Sequence, residues 1–169
     1  MKKATVFIAL TLFLLQSLPL FGQEKTPVLT RGADKSYSYQ NVFDVAGKSK
    51  DDLFALLKDW VIKNVKTQSN TNYFDEQGKN AISTTITFPV IYNSSLEVKI
   101  NIEVKDAKYR LTANSFIWYS KTGTAKNLGD WDGINNGRNA QNKIIEDVDE
   151  KFSKIVSSIL SAVKDGNSW

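Results

Sequence analysis

The sequence has 169 residues, 41% hydrophobic and 24% charged, with 22 basic side chains against 18 acidic ones. That balance belongs to a globular chain of one domain, not to a disordered or fibrous one. Cysteine and histidine are both absent, which excludes disulfides, thiol nucleophiles, imidazole general bases and the usual nitrogen and sulfur ligands of zinc.

The chain opens with Lys2 and Lys3 and continues as an apolar run from Ala4 to Leu15, interrupted at Gln16 and Ser17 and closed by Pro19. A charged start before a short apolar stretch has the form of a secretory signal. The run is shorter than the roughly 20 apolar residues that a membrane span requires. We expect residues 1–22 to be a signal peptide cut near Gly22–Gln23 and the product to be periplasmic or secreted. A retained N-terminal anchor is the rival reading, because Leu20 stands where a small residue is expected. No cysteine follows the run, so lipid attachment is excluded. Loss of Lys2 and Lys3 leaves 20 basic side chains against 18 acidic ones, a net charge of +2. The lysines alternate with acids and form no clustered basic face, so nucleic acid is not an expected partner.

Residues 23–36 are polar, carry Pro27 and Gly32 and show no periodicity, and are expected to form a flexible tether. A single domain is expected over 37–166. Tyr39, Asn41, Phe43 and Val45 alternate with Gln40, Val42 and Asp44, a strand pattern that stops at Gly47. Ser49 then offers a hydroxyl cap ahead of Asp51 and Asp52, which predicts a helix start there. Leu53, Leu56, Leu57, Trp60, Val61 and Val65 fall on one face of that helix.

A weak edge strand is expected around Tyr73 and Phe74, followed by a turn at Gln77–Asn80. Ile82, Thr84, Ile86 and Phe88 predict a half-buried strand, which Pro89 is expected to end for want of an amide. Leu96 to Lys105 keeps a period of two without a slip. A turn at Asp106–Ala107 returns the chain into a strand with Tyr109, Leu111, Ala113, Ser115 and Ile117 on one face and Arg110, Thr112, Asn114, Phe116 and Trp118 on the other. Residues 120–137 read as a long connection. The last helix carries Ile145, Val148, Phe152, Ile155, Val156, Ile159 and Val163 as an apolar stripe, with Asp147–Lys151 and Glu150–Lys154 spaced to pair and Gly166 as a C-terminal cap. The implied fold class is α+β: one antiparallel sheet of about five strands, two helices on one face and the other face open.

The run Phe43-Asp44-Val45-Ala46-Gly47-Lys48-Ser49-Lys50-Asp51-Asp52-Leu53-Phe54, with Trp60 downstream, resembles the opening of a family of exported bacterial proteins of unknown function. The likeness extends through the Gly78 turn and the hairpin at Val104–Arg110, covering roughly residues 38–119. It implies a curved antiparallel sheet of the kind found in the TATA-binding protein, with helices on its convex side, in agreement with the order β-α-β-β-β-β-α read from the patterns above. It supplies no catalytic residues to carry over. The TATA-binding protein grips the minor groove with an apolar face, whereas the open face here would offer Glu97, Lys99, Asn101, Glu103, Lys105, Arg110 and Thr112.

These alternating charges read as pairs on a solvated sheet and not as an acid–base array. Asp130-Trp131-Asp132-Gly133 begins like a calcium loop, but Ile134 and Gln141 occupy positions where that pattern needs ligands. No metal site or cofactor is expected. Strand parity places Phe116 and Trp118 on the polar face, near Tyr119 and Trp131, and these four are the candidate ligand-binding residues. A β-bulge, or packing under the 120–137 connection, would instead bury them. The expected function is a non-catalytic binding module for a protein or glycan partner. The alternative is a carrier of an apolar small molecule between the sheet and the last helix, lined by Ile100, Ile102, Leu111, Phe152 and Ile159. With no imidazole, thiol, nucleophile elbow or phosphate loop, no enzymatic activity is expected.

Overall fold

The computed structural model describes residues 28–65, 72–130 and 138–165. The expected signal peptide, the first part of the tether, Trp131 and Gly166 lie outside the described residues. The element order is β1 (Thr30–Arg31), β2 (Tyr37–Asp44), α1 (Lys50–Asn64), β3 (Tyr73–Phe74), β4 (Ala81–Val90), β5 (Ser94–Lys105), β6 (Lys108–Tyr119), β7 (Ala125–Asn127) and α2 (Arg138–Asp165). The strands form one antiparallel sheet in the order β1-β2-β6-β5-β4-β3, with β7 pairing β6 beyond the end of β2.

The sheet grows from the β5–β6 hairpin. Leu96, Val98, Ile100, Ile102 and Val104 are all buried, and from β6 Tyr109, Leu111 and Ala113 join them. A fully buried aliphatic side chain stabilises the fold by about 1.5–3 kcal/mol, so this layer is the main source of stability. Helix α1 covers it with Leu53, Phe54, Leu57, Trp60 and Val61, and α2 with Ile144, Val148, Phe152, Val156, Ile159 and Val163. The Trp60 indole Nε1 donates to Ser158 Oγ at 3.0 Å and ties the helices together. On the opposite face Lys99, Glu103, Lys105 and Arg110 are exposed, so the sheet has one covered side and one open side.

The start of α1 is held twice. Ser49 Oγ accepts the Asp52 amide at 3.2 Å, while Asp106 in the β5–β6 turn accepts the Lys50 amide at 2.8 Å. Two amides that a helix N-terminus leaves open are thereby satisfied. The expected Asp147–Lys151 and Glu150–Lys154 pairs form at 2.9 and 2.8 Å.

Four expectations need correction. Pro89 does not end β4, which continues to Val90 with Pro89 opposite Ser95. The short β3 reaches only Ser83, so β4 is a sheet edge at Pro89, where a missing amide costs no ladder bond. Residues 28–36 are not a free tether: Leu29 is buried and β1 pairs with Tyr37 and Ser38 of β2. The 120–137 connection contains β7, paired with Ile117–Tyr119. The sheet therefore has seven strands, the five expected and two short ones.

Candidate functional site

The fourth correction shapes the site. Between β5 and β6 the register runs from Lys99 opposite Asn114 to Glu97 opposite Ile117, so β6 carries one extra residue. Ser115 absorbs it with a φ of 54°, a left-handed conformation unusual for a residue other than glycine. Beyond Ser115 the parity reverses. Phe116, expected on the polar face, is 3% exposed and meets Phe152 edge-to-face at 5.6 Å. Trp118 is half-buried against the core, and its Nε1 donates to Ser94 Oγ at 2.8 Å. Tyr119 is half-buried. The three described candidates, Phe116, Trp118 and Tyr119, thus form no exposed aromatic patch.

The bulge instead opens a cleft of about 280 Å³ between the bulged end of β6, the turn after β7 and the segment before β2. Ser115 and Phe116 line its base, Asn127 and Asp130 one side, and Asp34 and Ser36 the other, where Tyr37 adds a ring. The first side is fixed by local bonds. The Leu128 amide donates to the Phe116 carbonyl at 2.8 Å, the Asp130 amide to the Asn127 carbonyl at 3.0 Å, and Asn127 Nδ2 to Asp130 Oδ2 at 3.1 Å. Leu128 is driven into the core, with 1% of its surface exposed.

The second side is a turn in which the Gly32 amide donates to the Ser36 carbonyl at 2.8 Å. Asp34 Oδ1 accepts both the Ser36 hydroxyl, at 2.7 Å, and the Ser36 amide, at 3.1 Å. These bonds, the hydroxyl's first, hold the Asp34 carboxyl below its ordinary pKa. The two sides touch where Gly129 meets Lys35: a methyl group on Gly129 would lie 1.8 Å from the Lys35 carbonyl oxygen. Only glycine allows that approach.

Chemically, the cleft presents two carboxylates, a carboxamide, two serine hydroxyls and Lys35 beside the ring of Tyr37. It suits a ligand with several hydroxyl or amide donors and one apolar face. A shallower hollow of about 450 Å³, lined by Ile117, Ala125 and Lys126, shares Asn127 and Asp130 with it and extends the surface along β7. A third hollow, of about 210 Å³, lies at the hairpin end, lined by Val42, Glu103, Lys105, Lys108, Tyr109 and Arg110. There Arg110 pairs with Glu103, while Lys108 stands in register between Asp44 on one side and Lys105 on the other. Ile100, Ile102, Leu111, Phe152 and Ile159, which would line a carrier's cavity, have no exposed surface and line none of these hollows. No cluster of three potential metal ligands occurs among the described residues.

Sequence reasoning missed Asn127, Gly129, Asp34 and Ser36. The readable signals were faint: a glycine in Asn-Leu-Gly-Asp and an Asp-Lys-Ser triplet with the spacing of a side-chain-capped turn.

The comparison with known families agrees with this architecture. Residues 39–118, from β2 to the bulged end of β6, match the family described as a domain of unknown function (DUF4468) with TBP-like fold. Over this stretch the chain is similar to that family. A solved DUF4468 family protein from Bacteroides ovatus superposes with a TM-score of 0.67 at 9% identity, covering 82% of this chain and 91% of that one. A TBP-like protein from Parabacteroides distasonis gives a TM-score of 0.57 at 14% identity, covering 74% of this chain and 93% of that one. At these identities the likeness is one of fold. No curated protein matches the chain in sequence. The DUF4468 match ends at Trp118, so β7 and the turn to Asp130, which form one side of the cleft, lie outside it.

Proposed function

We propose that this chain is an exported, non-catalytic binding module that holds a glycan in the cleft beside the bulge. The observation that carries the reading is the lining: two carboxylates, an amide and hydroxyls converge with Lys35 beside the Tyr37 ring in a hollow of about 280 Å³. That size is close to the lower limit of small-molecule sites, about 300 Å³, and fits one or two sugar residues better than an extended peptide. Hydroxyl groups of a sugar would donate to Asp34 and Asp130, and Asn127 would contribute donors and acceptors together. An exposed protein segment is the rival occupant.

The test is a screen of immobilised glycans with the purified chain and with Asn127→Ala and Tyr37→Ala variants. We expect a restricted set of glycans to bind and each substitution to weaken binding by roughly tenfold, the loss of one or two good contacts. Retention of no glycan, or binding that ignores both substitutions, would contradict the reading. A peptide competing for the same residues would transfer it to a protein partner.

A further inference from the structure

One buried carboxylate has no part in the core or the cleft lining. Asp149, on α2 and 8% exposed, accepts the backbone amides of Val28 and Leu29 on a single oxygen, Oδ1, at 2.7 and 2.8 Å. These amides lie 121 and 120 positions away in the chain. Leu29 packs its side chain into the core beside this latch, and β1 adds two residue pairs with β2. The segment then makes the Gly32–Ser36 turn and ends with the Lys35 carbonyl against Gly129. Residues 28–36 are therefore fastened at two points, Asp149 at the near end and Gly129 at the far end. Between them they supply Asp34, Lys35 and Ser36 to the cleft.

We propose that residues 28–36 form a latched strap, with Asp149 as its positioning residue, and that the strap opens as a local unit while the rest of the sheet stays folded. A segment with two ladder pairs and one buried side chain is the kind of element that opens far below the global unfolding energy. When the strap is seated the cleft has its second wall; when it lifts, Asp34, Ser36 and the approach of Lys35 to Gly129 leave together. Occupancy of the cleft and seating of the strap are then coupled, so a ligand that touches Asp34 or Ser36 favours the latched state. The coupling rests on the proposed glycan cleft; the strap's existence as a separate unit does not.

Hydrogen exchange followed by mass spectrometry on the purified chain reads the two apart. In Asp149→Ala the Val28 and Leu29 amides lose their acceptor, and exchange over 28–37 should rise by roughly tenfold or more, with residues 96–113 of β5 and β6 unchanged. Asp149→Asn keeps an oxygen acceptor and should fall between wild type and Asp149→Ala. Gly129→Ala attacks the other fastening and should also loosen 28–37, giving a second route if Asp149→Ala fails to fold. Unchanged exchange in the strap, or strap and sheet exchanging together in wild type, would overturn the proposal. If the strap loosens but the affinity for a glycan identified with wild type stays the same, the coupling is wrong. If wild type retains no glycan, the functional reading falls, while exchange still decides whether the strap is a separate unit.

Discussion

The two ends of the β5–β6 hairpin are built on opposite principles. At the tight-turn end the strands keep their alternation and the turn bonds to the β2–α1 junction: Ser49 and Asp106 cap α1, the Val45 amide donates to the Ala107 carbonyl at 2.7 Å, and the Ala107 amide to the Lys48 carbonyl at 2.9 Å. At the bulged end Ser115 breaks the alternation, and stability depends on groups remote in sequence, Asp149 under the strap and Gly129 against Lys35. The first end carries a small hollow lined by charged side chains, where Arg110 pairs with Glu103. The second leaves a cleft with polar groups turned into it. In this molecule the place where local pattern fails is also the place of the proposed binding cleft, as expected when a fold departs from its regular geometry for a reason other than stability.

Substitutions at the two ends should separate them. The largest effect should come from Phe152→Ala, because Phe152 meets both Tyr39, at 5.3 Å, and Phe116. A loss of about 3–5 kcal/mol in urea unfolding is expected, together with loss of the bulge geometry in the spectra of Ser115 and Phe116. Gly129→Ala should cost about 1–3 kcal/mol, since backbone must move to admit the methyl group, and the change should remain confined to the bulged end. Ser49→Ala should cost about 1 kcal/mol and leave the strap untouched, which separates the two ends directly.

Tyr109→Phe is expected to act in the other direction. The Tyr109 hydroxyl is buried without a hydrogen-bond partner among the described residues, while its ring stacks on Phe43 at 5.0 Å. Removing the hydroxyl should be neutral or stabilise by up to about 1 kcal/mol. Burial first, and the neighbouring Tyr39 second, raise the Tyr109 pKa above its ordinary value. The unfolded chain therefore ionises first, so stability should fall as pH climbs past about 10. In Tyr109→Phe that alkaline slope should be shallower, and an unchanged slope would show that Tyr109 does not carry it. The smallest effect belongs to Glu103→Ala, whose exposed pairing with Arg110 should be worth less than about 1 kcal/mol.

What could be read from the sequence follows the same division. Leu96–Lys105, the Ser49 cap and the two ion pairs of α2 are set by spacings of two, three and four residues, which local sterics dictate. The bulge could not be read, because nothing about serine announces a left-handed backbone; the pairing of β6 with its neighbours imposes it. One slipped residue moved Phe116 from the open face to the core and reversed the expectation for Trp118. Asp149 reads as one more acid on a solvated helix face until the N-terminal segment is folded onto it, and β7 is too short to show a period. The aromatic candidates rested on a parity that the bulge reverses, and the polar residues lining the cleft follow no period that could be read.

In the proposed mode of binding the cleft at the bulged end, and not the open charged face, receives the partner. That mode is tested most directly by recording amide shifts of the isotope-labelled chain during titration with a glycan retained in the screen. Perturbations confined to residues 34–37, 115–116 and 127–130 are the predicted result. Perturbations centred on Lys99, Glu103, Lys105 and Arg110, with the bulged end silent, would contradict it.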